Sequence, residues 1–192
     1  LVAYFCAGDP DAETTIEVAV AAAEAGADVI ELGMPFSDPT ADGVAIQRAS
    51  ERALAKGMTL AKALEVAKQI RARSEVPIVL FGYYNPVYAY GEQRLCTDAA
   101  KAGVDGFLVV DLPPEECASL RAPANAAGLA FVPLVAPTSS DLRVELAGGV
   151  ADAFIYYVSL TGVTGAGSAD FDRAAERARV VRERTGKPVA VG

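Results

Sequence analysis

Apolar residues fall in short runs separated by longer amphipathic stretches. The runs predict strands at residues 1–7, 28–34, 77–82, 106–110, 130–135 and 153–159, with residues 188–191 as most of a seventh. Between them, helical spacing predicts helices at residues 11–26, 45–56, 60–73, 92–102 and 171–185. Thr59 is placed to cap the helix at 60–73, where Leu60, Leu64, Ala67 and Ile70 share one face, and Gly26 and Gly57 close the two before it. Residues 114–127 also read as helical, but Pro123 falls inside them. An interior proline costs about 3 kcal/mol, so a short or broken helix is expected there. Tyr83, Tyr84, Asn85 and Pro86 read as a loop.

Strands alternating with helices are the pattern of parallel βαβ units. A weak repeat agrees: Ala25-Gly26-Ala27-Asp28 before the second strand is matched by Ala102-Gly103-Val104-Asp105 before the fourth. Each copy leads to a carboxylate near the strand end, Glu31 or Asp111. Both an open doubly wound sheet and a (β/α)8 TIM barrel fit. No GxGxxG follows the first strand, and reactive-looking residues follow many different strands, which favours the barrel.

The segment from Glu31 to Gln47, ELGMPFSDPTADGVAIQ, concentrates the candidate chemistry. A strand delivers Glu31 and then empties into a Pro/Gly-broken loop carrying Asp38 and Asp42. An ionisable side chain in a strand buried on both faces needs a partner, a neutral form or a chemical task. Its apolar neighbours Ile30 and Leu32 should raise the Glu31 pKa by desolvation, whereas Asp42, in a loop, should stay ionised.

Composition narrows the chemistry further. The 192 residues contain no histidine, which removes Ser-His-Asp and Cys-His arrangements and the commonest metal ligand. Acid–base work falls to Glu, Asp, Tyr or Lys. The net charge of −8 argues against a nucleic-acid footprint. Cys6, Cys96 and Cys117, odd in number and set within element patterns, suit reduced buried thiols. Neither a membrane span nor a signal peptide is legible, so a soluble cytoplasmic chain forming one domain over residues 1–192 is expected.

Three motifs in register carry a resemblance: Ala7-Gly8-Asp9-Pro10-Asp11, the segment ELGMPFSDPTADG from Glu31, and YYVSLTGVTGAG from Tyr156. Together they resemble the tryptophan synthase α subunit family along the whole of residues 1–192. The resemblance implies a (β/α)8 barrel that is incomplete here, truncated at both ends, with strand edges at residues 1–7 and 188–191 left without a neighbour. It further implies retro-aldol cleavage of indole-3-glycerol phosphate to indole and glyceraldehyde 3-phosphate. Glu31 would be the general acid/base and Asp42 the carboxylate accepting from the ring N–H. Tyr156, Tyr4, Phe81, Leu108 and Leu134 would form the indole pocket, although each is equally explicable as core. Thr164 and Gly165, in the glycine-rich loop, would close the site and hold phosphate. Departures include Leu160, where several relatives carry Arg, and Cys6, where most carry Thr.

The implied partner is a pyridoxal-phosphate-dependent β subunit in an α2β2 assembly, docked through residues 35–39, 85–88 and 111–114, with no cofactor in this chain. Asp38 is read as loop structure or a partner contact. Two alternatives stand beside this reading: a stand-alone indole-glycerol-phosphate lyase, and a non-catalytic module that only binds the β subunit.

Overall fold

A computed structural model describes residues 1–159 and 171–192. In chain order the elements are β1 (Val2–Cys6), α1 (Ala12–Glu24), β2 (Val29–Gly33), α2 (Val44–Ala55), α3 (Leu60–Arg71), β3 (Ile78–Gly82), α4 (Tyr84–Tyr90) and α5 (Glu92–Lys101). They continue with β4 (Gly106–Val109), α6 (Ala118–Ala126), β5 (Ala130–Phe131), β6 (Leu134–Val135), α7 (Asp141–Val150), β7 (Ile155–Tyr157), α8 (Phe171–Thr185) and β8 (Val189–Val191). Every ladder is parallel and joins neighbours in sequence, as βαβ crossovers require. Among the described residues no ladder joins β1 to β8, so the wall is an open barrel.

Strand alternation sorts the core into two layers. Ile30, Leu32, Ile78, Leu80 and Phe107, all fully buried, face outward against the helices. Val79, Leu108 and Val132 face inward, with Phe81, Leu134 and Tyr156 packed on them. Tyr157 belongs to the outer layer beside Val144 and Val181, so the tyrosine pair divides between the two faces as alternation demands.

Three expectations need correction. The strand expected at 130–135 is interrupted by Pro133, which has no N–H to give a ladder, and becomes β5 and β6. The wall still passes through it, because the Val132 N–H reaches Phe107 O at 2.8 Å and Pro133 O accepts from Tyr156 N at 3.0 Å. The loop expected at Tyr83 to Pro86 is instead the start of α4. Pro86 sits in its first turn, where the missing N–H would have no helical partner. Helix α7 was not expected at all; Ser140 caps it by accepting from Arg143 N at 3.3 Å. The helix expected to be short or broken at Pro123 is short, Ala118–Ala126 where residues 114–127 read as helical, and runs through Pro123 unbroken. The carbonyl that Pro123 leaves without a donor belongs to solvent-exposed Ser119, where water can serve it.

The three cysteines are free and buried. No helix among the described residues is long and apolar enough to cross a membrane.

The repeat noted in the sequence has a structural purpose at the strand N-termini. Asp105, just before β4, accepts the Ile78 N–H at 2.7 Å and pairs with Arg71 at 2.6 Å. Asp152, before β7, does the same for Phe131 N–H at 3.0 Å and for Arg121 at 2.5 Å. Asp28, before β2, takes the amino group of Leu1. Asp28 and Asp105 thus pin the start of the preceding strand and Asp152 pins β5, and Asp105 and Asp152 also tether a helix. Replacing Asp105 by Ala leaves a strand N–H unpaired and takes the carboxylate from Arg71, which keeps the Gly103 and Ser74 carbonyls, and the expected loss is about 1–3 kcal/mol. Urea unfolding of Asp105→Ala against the parent measures it, with Asp105→Asn losing less because its side-chain oxygen still accepts.

Candidate active site

Glu31 lies mid-strand in β2, in register with Tyr4 of β1 and Val79 of β3, and its side chain points into the barrel. The residue is 3% exposed. Its Oε1 has no hydrogen-bond partner among the described residues. Burial alone lifts its pKa from the ordinary value to about 7, in the direction the flanking Ile30 and Leu32 foretold. A carboxyl group poised near neutrality can give and take a proton with little penalty.

Aromatic rings enclose it. Tyr4 meets Phe81 edge-on, with ring centroids 5.4 Å apart, and Phe81 meets Tyr156 at 6.0 Å. Tyr156 is pushed up to about 12 by burial and then by the Glu31 charge, and Tyr4 is raised by the same two influences among others. Two glycines seat these rings. A β-carbon on Gly33 would collide with the Tyr4 hydroxyl, and one on Gly192 with that of Tyr156. A cavity of about 590 Å³ opens onto Tyr4, Glu31 and Tyr156 and extends to Leu1, Asp28 and Pro188 at the strand starts; Asp42 does not line it. Leu108 and Leu134 belong to the same inward layer but do not line this cavity, and neither does Phe81.

Asp42 arrives from the loop between β2 and α2. Its backbone is held by Asp42 N–H to Pro39 O at 3.1 Å and by Gln47 Nε2 donating to Asp42 O at 2.8 Å. The loop does not leave Asp42 fully solvated. Partial burial pushes the Asp42 pKa up, and a hydrogen bond with Tyr83 pulls it back down. Both Asp42 and Glu31 act on the Tyr4 phenol and raise it. Asp38 stays in the loop, bonded to the Ser37 hydroxyl. Thr164 and Gly165, with Leu160, lie outside the described residues.

Sequence reasoning missed Tyr83, Phe154 and the two glycine seats. Tyr83 was legible in principle, because alternation from Val79 through Phe81 carries the inward face to it. Among the described residues no group of three or more His, Cys, Asp or Glu side chains could hold a metal.

Comparison with known proteins bears on this geometry. A family model described as "Tryptophan synthase alpha chain" matches residues 1–192. The tryptophan synthase alpha chain of Geobacter sp. (strain M21) is 52% identical over 192 residues, spanning 100% of this chain and 72% of the relative. That of Dechloromonas aromatica (strain RCB) is 52% identical over 193 residues with the same coverage. Among solved structures, the tryptophan synthase α2β2 complex from Pyrococcus furiosus aligns with a TM-score of 0.91 at 40% identity, covering 100% of this chain and 77% of the other. Tryptophan synthase from Mycobacterium tuberculosis aligns with a TM-score of 0.92 at 34% identity, covering 100% and 73%. An inward Glu and a loop Asp on a parallel barrel wall, with a match along the whole sequence, place the chain in the tryptophan synthase alpha chain family.

Proposed function

We propose that this chain carries out the lyase half-reaction of its family, the retro-aldol cleavage of indole-3-glycerol phosphate to indole and glyceraldehyde 3-phosphate. The observation that carries the proposal is the buried Glu31 carboxyl, with one oxygen free of any hydrogen bond among the described residues and a cavity in front of it. Glu31 in its acid form gives a proton to indole C3, leaving an iminium cation whose N–H points to the Asp42 carboxylate. The Glu31 carboxylate then takes the side-chain hydroxyl proton. The bond between C3 and the side chain breaks, its electron pair returns to the ring as neutral indole, and the former carbinol becomes the aldehyde. Proton gain and loss at Glu31 cancel over the cycle.

Tyr4 and Tyr156 serve as the apolar wall for the indole, backed by Phe81, Leu108 and Leu134 of the inward layer, and Thr164 and Gly165 as the phosphate and closing loop. The steps need no cofactor in this chain, and pyridoxal phosphate is assigned to a β subunit partner. Support for that partner comes from the Pyrococcus furiosus structure, which is of an α2β2 complex. The docking face is assigned to residues 35–39, 85–88 and 111–114, where Tyr88 is 70% exposed. We take residues 1–192 as one barrel domain working in the cytoplasm.

Indole release from indole-3-glycerol phosphate, with and without a β subunit, tests the reading. Glu31→Gln is expected to lower turnover by at least about a hundredfold with an unchanged circular dichroism spectrum. A variant with parental turnover would remove Glu31 from the mechanism. Stimulation by the β subunit supports the α-chain role, whereas binding without release leaves only a docking module.

The pH dependence of stability follows from the same group. Folding lifts Glu31 from 4.5 to about 7, so the folded chain keeps a proton that the unfolded chain loses in that window. The contribution is complete below the unfolded value and is lost as pH rises through the folded one, by something on the order of 3 kcal/mol. Urea midpoints from pH 4 to 8 should therefore fall more steeply in the parent than in Glu31→Gln.

A further inference from the structure

Tyr4 and Glu31 are register partners across the ladder joining β1 to β2, and both line the same cavity inside the barrel wall. Neighbouring strands lie about 4.8 Å apart, so a phenol and a carboxyl at one level share one space. The longer tyrosine leans along the strands toward their C-terminal ends. Its hydroxyl sits over Gly33, the next inward position after Glu31, so close that a β-carbon there would collide with it. Phe81 holds the ring edge-on, with centroids 5.4 Å apart. The hydroxyl is thereby fixed through its carbon frame.

Its hydrogen-bonding capacity is left open. Burial, Cys6, Asp42, Glu31 and Tyr83 all act on the Tyr4 phenol and all raise it, and among the described residues no hydrogen bond reaches it. The group therefore stays an O–H with a proton to donate. Glu31 Oε1, its neighbour on β2, is unpartnered too. Two polar atoms without partners thus face one cavity from adjacent strands. Leaving a buried polar group unpaired costs about 1–3 kcal/mol, and phenylalanine would fill the same space without that loss. Packing alone does not account for a tyrosine here.

We propose that Tyr4 is a catalytic residue whose hydroxyl donates a hydrogen bond to the carbinol oxygen of the substrate, the oxygen whose proton Glu31 takes. The proposal rests on the retro-aldol reading of Glu31 and adds a substrate requirement to it, a hydroxyl on the carbon bonded to the indole ring. As the Glu31 carboxylate removes the carbinol proton, the electron pair of the O–H bond forms the C=O bond, and the pair of the breaking C–C bond returns to the ring. Negative charge gathers on the oxygen in passing. A fixed, neutral donor stabilises that charge without losing its own proton, so no bond at Tyr4 is made or broken.

Tyr4→Phe provides the test, since the ring and its contact with Phe81 stay while the hydroxyl goes. Two phosphates serve as probes: indole-3-glycerol phosphate, and the same molecule with hydrogen in place of the hydroxyl on the carbon bonded to the ring, which cannot be cleaved. Binding is read by calorimetry in the Glu31→Gln chain, so that the first probe is not consumed. Adding Tyr4→Phe should weaken the hydroxylated phosphate about tenfold and the other by less than about twofold. With Glu31 intact and a β subunit present, Tyr4→Phe should lower kcat on the order of a hundredfold with a smaller change in KM. Equal weakening of both probes, parental binding of both, or a parental kcat would each overturn the proposal. Failure of the underlying reading has a different signature. Selective weakening, in a parent that releases no indole even with a β subunit, would uphold the hydroxyl contact while refuting the cleavage; parental release with unselective binding would uphold the cleavage while refuting the role of Tyr4.

Discussion

The structure turns on a carboxyl group kept out of water. A buried anion without a partner is costly enough that the group adopts its neutral form over part of the physiological range, and Glu31 is in that position. Cations are kept away from it. The arginines of the chain go to the strand N-termini and the helix surfaces, where Arg71, Arg121 and Arg179 have carboxylate partners of their own. An arginine beside Glu31 would hold it ionised and remove its ability to cycle a proton. Aromatic rings do the opposite, since they exclude water without supplying positive charge.

Much of this was legible in the sequence because strands read with period two. Glu31 between Ile30 and Leu32, and Phe81 and Leu108 on their own strands, could be assigned to a face by counting residues. Irregular features resisted. Helix α4 was hidden because Pro86 reads as a breaker unless its place in the first turn is known. Helix α7 lacks a strong apolar stripe and carries Gly148-Gly149 in its last turn, so neither its beginning nor its end announces it. The break at Pro133 was visible as a residue but not as an interruption, since apolar content alone makes residues 130–135 one strand.

The state of Asp42 shows a further limit. Loop membership suggested solvation, yet the loop is bonded to Tyr83 through the Ala41 N–H, and half-burial follows from contacts between residues some forty positions apart. Local pattern carries no information of that kind. Tyr83 was missed for the same reason: its hydroxyl matters only once the loop after β2 has been brought to it.

The aspartate pins lie at the N-terminal ends of the strands, whereas Asp42 and Tyr83 lie on the connections that leave the C-terminal ends. Folding and chemistry are thereby written at opposite poles of the same strands. Sequence change at one pole can proceed without the consent of the other, which gives such a wall room to acquire new loop chemistry on an old frame. Glu31 is the exception, because it sits between the poles and answers to both.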